Sequence, residues 1–269
     1  MSASRTGAGD GIHFGYAGTA RGQVHYAECG KGPPVVLLHQ TPRSWDEYRE
    51  VLPVLGRTHR AIAMDTIGFG ASAPLDDHSI EAYAAAVVEL LDALGLPEVA
   101  LVGHHTGGVV AVEVAARAPE RVGALVLSST PYVDAEARER RRDRPPIDAV
   151  AADPGGAHLT ELWRRRQLYY PPGRPDLLTR FVRDALALGD DVEKGHEAVA
   201  RYRMEDRIGL VRCRTLCVGA SADPFVFPDL RILSSQLNAA TLAVIEGGMI
   251  PLMEQRSAEV GELIARFLT

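Results

Sequence analysis

Val99-Ala100-Leu101-Val102-Gly103-His104-His105-Thr106-Gly107-Gly108 is an apolar run that ends in a tight turn with glycine on both sides. Val109-Val110-Ala111-Val112-Glu113-Val114-Ala115-Ala116 follows and reads as a helix. A strand that turns this sharply into a helix lifts the middle residue of the turn above the sheet. It also points the unpaired N–H groups of the helix start at whatever binds there. The spacing is that of a G-x-nucleophile-x-G elbow, here Gly103-His104-His105-Thr106-Gly107. The position that would carry Ser, Cys or Asp carries His105.

Outward from the elbow, short apolar runs recur. Ile12–Ala20 and Gln23–Cys29 alternate as two strands joined at Arg21-Gly22. Pro34–His39 suits a strand buried on both faces of a parallel sheet, Ala124–Ser129 is another buried strand, and Ala61–Asp65, Thr215–Gly219 and Ala240–Ile245 also read as strands. Between them, Ser44 can cap a helix running to Leu55, Ser79 caps a second, and Ser257–Leu268 forms the last. From Pro131 to about Val211 there is no strand signal. That segment reads as helical and Arg-rich, broken at Pro145-Pro146 and Pro171-Pro172. It holds fifteen basic and fifteen acidic residues, so the formal net charge of −6 belongs to the remainder of the chain.

These units predict an α/β fold: a mainly parallel, doubly wound sheet of about eight strands with a helical cap. The expected organisation is a flexible tail over 1–11, a core over 12–130 and 212–269, and the cap over 131–211. An insert after the sixth or seventh strand sits over the strand ends where open α/β sheets bind ligands.

Composition narrows the partners. With 269 residues, 46% hydrophobic and 24% charged, the chain can bury a substantial core. Its negative charge argues against nucleic acid. No apolar run nears the roughly 20 residues that span a bilayer, and Met1–Gly11 has no apolar centre of a signal peptide. Cys29, Cys213 and Cys217 form no metal-ligand spacing and fit a reducing cytoplasm. The expected partner is a small-molecule substrate, with no metal, cofactor or membrane, and a homo-oligomer is left open.

Five motifs in order resemble the α/β-hydrolase fold superfamily over nearly the whole chain. Leu37-Leu38-His39-Gln40-Thr41-Pro42 is similar to its H-G-x-P oxyanion loop, with Gln40 in place of Gly. Asp65-Thr66-Ile67-Gly68-Phe69-Gly70-Ala71-Ser72 is similar to its D-x-x-G-x-G-x-S loop, and Gly103–Gly108 to its G-H-S-x-G-G elbow. Val218–Pro224 resembles the loop of the triad acid, at Asp223. Glu246–Glu254 falls where the family reads G-x-G-H-x-P-x-x-E, with Met249 in place of the catalytic His. By this resemblance two of three triad positions are changed, and Asp223 remains.

Met cannot accept a proton at neutral pH, and an acyl-enzyme route needs a hydroxyl or thiol activated by a base. Thr106 does not restore it, because the post-nucleophile residue serves through its backbone N–H. An imidazole at 105 reaches further than a Ser hydroxyl, into the volume of the missing triad His. Asp223 would orient it, and the N–H groups of Thr106 and Thr41 would form the oxyanion hole. The plain alternative for Asp223 is a turn residue before Pro224. His39 and His104 are read as structural, and Met249 as filler for the lost imidazole. Gln40, His39, Met249, Trp163, Tyr169 and Tyr170 are pocket candidates, the aromatics being equally simple as cap core. Arg140–Arg142 and Arg164–Arg166 are read as solvated helix faces balanced by acids.

Three functions follow. The first is hydrolysis of an ester, lactone or related bond, with His105 as general base on water. The second is cofactor-free lyase, cyclase, isomerase or oxygenase chemistry that starts with proton abstraction by His105. The third is a small-molecule binder that has lost its triad. The fold does not choose among them.

Overall fold

The computed structural model describes residues 11–142 and 144–269; the expected tail, but for Gly11, lies outside them. Eight strands form one sheet: β1 (His13–Thr19), β2 (Gly22–Cys29), β3 (Pro34–Leu38), β4 (Arg60–Met64), β5 (Val99–His104), β6 (Val122–Ser128), β7 (Arg214–Ala220) and β8 (Ala240–Ile245). Their order is β1-β2-β4-β3-β5-β6-β7-β8, antiparallel at β1/β2 and β2/β4 and parallel from β4 onward.

Around the sheet lie α1 (Leu52–Leu55), α2 (Ile80–Ala93), α3 (Thr106–Arg117), α4 (Ala135–Arg142), α5 (Ala157–Arg166), α6 (Pro175–Ala187), α7 (Lys194–Arg201), α8 (Leu230–Ser235), α9 (Leu252–Gln255) and α10 (Ser257–Leu268). The alternation of strand side chains explains why both faces are covered. Val36, Leu38, Ile62, Met64, Leu125 and Leu127 pack with α2 and α3. Their neighbours Val35, Leu37, Ala61, Ala63 and Val126 pack on the other face with α1, α9 and α10. Continuous apolar runs are what such a two-sided burial requires.

Ser79 caps α2, its Oγ accepting from Ala82 N at 3.2 Å. The helix expected from Ser44 to Leu55 differs: it is a 3₁₀ turn over Trp45–Tyr48, then the single turn α1. The interruption follows from Pro53, which has no N–H to continue the ladder.

Between β6 and β7 the described residues contain α4 to α7 and no strand. This helical cap has its own apolar centre, in which Leu162, Tyr170, Leu177, Leu178 and Phe181 pack together. No helix among the described residues is long and apolar enough to cross a membrane.

Candidate active site

β5 ends at His104 and α3 begins at Thr106, so His105 alone makes the turn. Its backbone sits at φ 47°, ψ −114°. A non-glycine residue there carries strain of about 1–2 kcal/mol. Neighbouring bonds hold it: His105 N donates to Ser128 O at 3.0 Å, and Gly108 N donates to His105 O at 2.9 Å. Gly107 lets α3 approach β3 closely, because a methyl group there would overlap the Leu38 carbonyl. The turn is therefore pinned between β6 and β3.

Asp223 follows β7 and is fully buried. One carboxylate oxygen, Oδ1, accepts from Phe225 N at 3.0 Å. The other, Oδ2, lies 2.8 Å from His105 Nε2. That separation suits a hydrogen bond, but the ring N–H is not aimed at the oxygen, and neither atom has another partner among the described residues. A small ring rotation would align the pair, as is common in unliganded sites. Burial alone would raise the Asp223 carboxyl; His105 beside it and the Phe225 N–H outweigh burial and hold it below the usual carboxylate range. The acid is ionised at neutral pH, and His105 lines a cavity with no hydrogen bond from its Nδ1 to the described residues.

The other histidines of the motifs are bound into the frame. His104 Nε2 donates to Ile250 O at 2.9 Å, and its Nδ1 faces Ser128 Oγ at 3.1 Å. Burial, with His105 adding to it, pushes its imidazole down to about 3, so it stays neutral. His39 Nδ1 donates to Gln40 O at 2.7 Å, and Nε2 accepts from Thr66 N at 3.0 Å. Gln40 is clamped by Glu47, which accepts from Gln40 N at 2.9 Å and from Gln40 Nε2 at 2.6 Å. Thr106 opens α3, so its N–H has no acceptor within the helix. Thr41 lies on the loop after β3, its buried hydroxyl without a hydrogen-bond partner among the described residues. Gly195 of α7 packs directly on it, since a methyl group at 195 would overlap the Thr41 side chain.

A cavity of about 1150 Å³ lies between these residues and the cap. Gln40, Thr41, His105 and Thr106 line its floor, and Tyr169 its wall. His39, Met249, Trp163 and Tyr170 are not among its lining residues. Tyr170 is packed against Phe181 within the cap, ring centroids 5.8 Å apart, and Trp163 packs on the same cluster. Met249 is half-buried, its N–H donating to Gln255 Oε1 at 2.7 Å. Among the described residues no group of three or more His, Cys, Asp or Glu could hold a metal ion.

The arginine runs are not uniformly solvated. Arg140, Arg164 and Arg165 pair with Glu136 and Glu161 near the surface. Arg166, however, is buried on Asp148 and stacked over the Phe181 ring at 4.8 Å, and Arg141 turns toward the cavity. Three successive helix residues span about 200° of the wheel, so one of them can turn to the packed side, but the run itself does not say which.

The family model of the alpha/beta hydrolase fold matches residues 33–194. Bifunctional epoxide hydrolase 2 of Sus scrofa is 33% identical over 136 residues, 49% of this chain, and the match spans only 24% of that relative. 2-Hydroxy-6-oxo-2,4-heptadienoate hydrolase of Pseudomonas putida is 38% identical over 192 residues, 70% of this chain and 60% of the relative. Among solved structures, the enol-lactonase from Burkholderia xenovorans LB400 superposes with a TM-score of 0.77 at 18% identity, covering 94% of this chain and 99% of that one. A thermophilic esterase from Thermogutta terrifontis gives 0.75 at 24% identity, covering 95% and 98%. At such identities the structural likeness speaks for the fold alone. The family match runs from the start of β3, through the Thr41 loop and the elbow, into the cap. The sheet order agrees with it, and the chain belongs to the alpha/beta hydrolase fold family.

Proposed function

We propose that the chain hydrolyses an ester, lactone or related bond of a small organic molecule, with His105 as general base and no acyl-enzyme. The observation that carries this reading is the His105 Nε2 to Asp223 Oδ2 separation of 2.8 Å, on a side chain that lines the cavity. A carboxylate against one ring nitrogen fixes the tautomer and strengthens the other as a base.

In this mechanism water attacks the carbonyl carbon while Nδ1 takes its proton. The carbonyl electron pair moves to the oxygen, where the N–H groups of Thr106 and Thr41 stabilise it. The tetrahedral intermediate then collapses, and the proton passes from Nδ1 to the leaving oxygen. Asp223 stays ionised throughout and balances the imidazolium. The cap supplies the wall of the cavity that faces His105. The relatives named hydrolases support the class of reaction, and the superposed lactonase and esterase share the frame.

The test is a panel of p-nitrophenyl esters and lactones run in ¹⁸O water. Wild type should place one ¹⁸O atom in the acid product. His105→Ala should lower turnover by about a hundredfold to ten-thousandfold, the usual range for a general base. Asp223→Asn should cost less, because it removes orientation and charge balance but leaves the base. Full activity in His105→Ala defeats the mechanism. Turnover without ¹⁸O incorporation would favour proton abstraction from carbon instead.

A further inference from the structure

The cap side of the cavity is strongly cationic, with seven arginines against two glutamates in the lining. Most of that charge is already committed. Arg138 holds Glu205 through two bonds of 2.8 and 2.6 Å, Arg165 holds Glu161 at 2.8 Å, and Arg166 holds Asp148 at 2.6 Å. Arg142 donates to Glu139 at 3.0 Å, and Arg201 to the His78 carbonyl at 3.0 Å. Arg141 and Arg144 remain. Neither forms an ion pair with any described residue. Arg144 is exposed at the cavity rim.

Arg141 is the unusual one. Its Nη1 is shut off from solvent and has no hydrogen-bond partner among the described residues. The acids that face it, Asp229 and Asp134, attract it from beyond ion-pair distance, while Arg144 and Arg140 repel it. Asp229 is itself engaged, its Oδ2 accepting from Tyr132 N at 3.2 Å. Burial depresses the Arg141 guanidinium against the pull of Asp229, and repulsion by Arg144 and Arg140 adds to the effect. A guanidinium N–H buried without an acceptor costs free energy that an anion would recover. The carboxyl end of α4 favours a cation here, but it favours the solvated Arg140 and Arg142 equally and gives Nη1 no acceptor.

Glu193, His196 and Glu197 also line the cap side, and a further stretch of the wall is apolar. Pro145, Ile147, Phe225, Val226 and Ile250 line it, and Tyr169 packs edge-on to Phe225 with centroids 4.8 Å apart. A ligand suited to this cavity has an apolar body and one anionic end. We infer that Arg141, with Arg144 beside it, is a subsite for a carboxylate on the substrate, placed at the cap end of the cavity whose floor carries His105. A planar guanidinium matches a carboxylate through two parallel N–H donors. The rate part of this inference rests on the hydrolytic reading of His105; the binding part does not.

Calorimetric titration with 4-phenylbutyrate and its neutral amide tests the binding part in wild type and in His105→Ala. In both proteins the carboxylate should bind about tenfold or more tighter than the amide. Arg141→Gln should lose about tenfold to a hundredfold of carboxylate affinity, the range for a hydrogen-bonded charge. Arg141→Lys, which keeps the charge but not the fork, should fall between. Arg140→Gln removes an exposed charge paired with Glu136 and should shift affinity by less than about threefold. In the rate arm, Arg141→Gln should raise KM for the p-nitrophenyl monoester of succinate about tenfold or more and leave kcat within about threefold. Equal binding of acid and amide by wild type overturns the subsite. So does an undiminished preference in Arg141→Gln, or an equal loss in Arg140→Gln, which would mean a diffuse field. If acid-selective binding persists in His105→Ala while no ester or lactone is turned over by wild type, the subsite stands and the hydrolytic reading fails.

Discussion

Arg43→Met tests how the cap is fastened to the floor of the cavity. Arg43 lies two residues past Thr41 and is fully buried. Its Nη1 donates to both oxygens of Glu254 at 2.9 and 3.0 Å, and its Nε donates to Asp184 of α6 in the cap at 2.9 Å. Asp46 lies 3.4 Å from Nη2. Removing one partner from a buried ion pair costs about 3–5 kcal/mol, because the other charge is left unpaired. Asp46 keeps Arg180 at 2.6 Å and Asp184 keeps Arg183 at 2.7 Å, but Glu254 retains only Arg180, at 3.5 Å. The lower end is therefore expected, about 3 kcal/mol. That is a large part of a total stability of about 5–15 kcal/mol and lowers Tm by roughly 6–12 °C. The pH dependence identifies the cause. Burial already raises the Glu254 carboxyl even with Arg43 in place, and without Arg43 it rises further. A carboxyl whose folded pKa lies above its unfolded one stabilises the fold below the unfolded pKa, and that contribution is lost as pH rises through the folded pKa. The deficit of Arg43→Met should thus grow with pH, and Arg43→Met/Glu254→Gln should recover most of it. Urea unfolding at pH 5.5 and pH 8 measures both. A loss under about 1 kcal/mol, a loss independent of pH, or no recovery in the double variant refutes the reasoning.

Three further predictions concern the site. A serine-directed fluorophosphonate should leave the intact mass unchanged, since residue 105 carries no hydroxyl; stoichiometric labelling of one Ser or Thr would contradict the mechanism. Met249→His should not raise turnover, because a restored imidazole has no serine on the elbow to activate; a gain of more than about tenfold would count against it. Glu47, pushed up to about 8 chiefly by burial with Glu254 adding, holds a proton in the fold that the unfolded chain releases near the ordinary 4.5. Its contribution is present below about 4.5 and is lost as pH rises through about 8. Glu47→Gln should flatten that decline between about pH 4.5 and pH 8 in urea unfolding, and an unchanged slope would remove Glu47 as its source.

What could be read in the residues was whatever is local. The run Pro34–Leu38 announces a buried strand because two-sided burial leaves no polar alternation, whereas the equally apolar Ala240–Ile245 is the edge strand and leaves Leu242 and Val244 exposed; the glycines around His105 announce the turn because little else fits between α3 and β3. Partners distant in the chain left no such trace. The clamp of Glu47 on Gln40, the burial of Arg166 on Asp148 and the bond from Arg43 to Glu254 each depend on which side chains the finished fold brings face to face. The aromatics divide for the same reason: Tyr169 reaches the cavity and Tyr170 the cap core, a difference of one residue at the end of a helix that only packing decides.

Gly107 has a consequence for how this chain can change. Its contact with the Leu38 carbonyl is main chain against main chain, and it spaces the Thr106 amide from the Thr41 loop without help from any side chain at 105 or 249. Residue 105 thus stands in a socket whose walls do not depend on what fills it. A hydroxyl, a carboxylate or an imidazole placed there meets the same start of α3 and the same end of β3. Exchange of His105 is a change of tool in a fixed holder, whereas Gly107→Ala would force the holder itself apart. A substitution at 105 can then leave the contact of α3 with β3 as it is, because that contact is made by main chain alone.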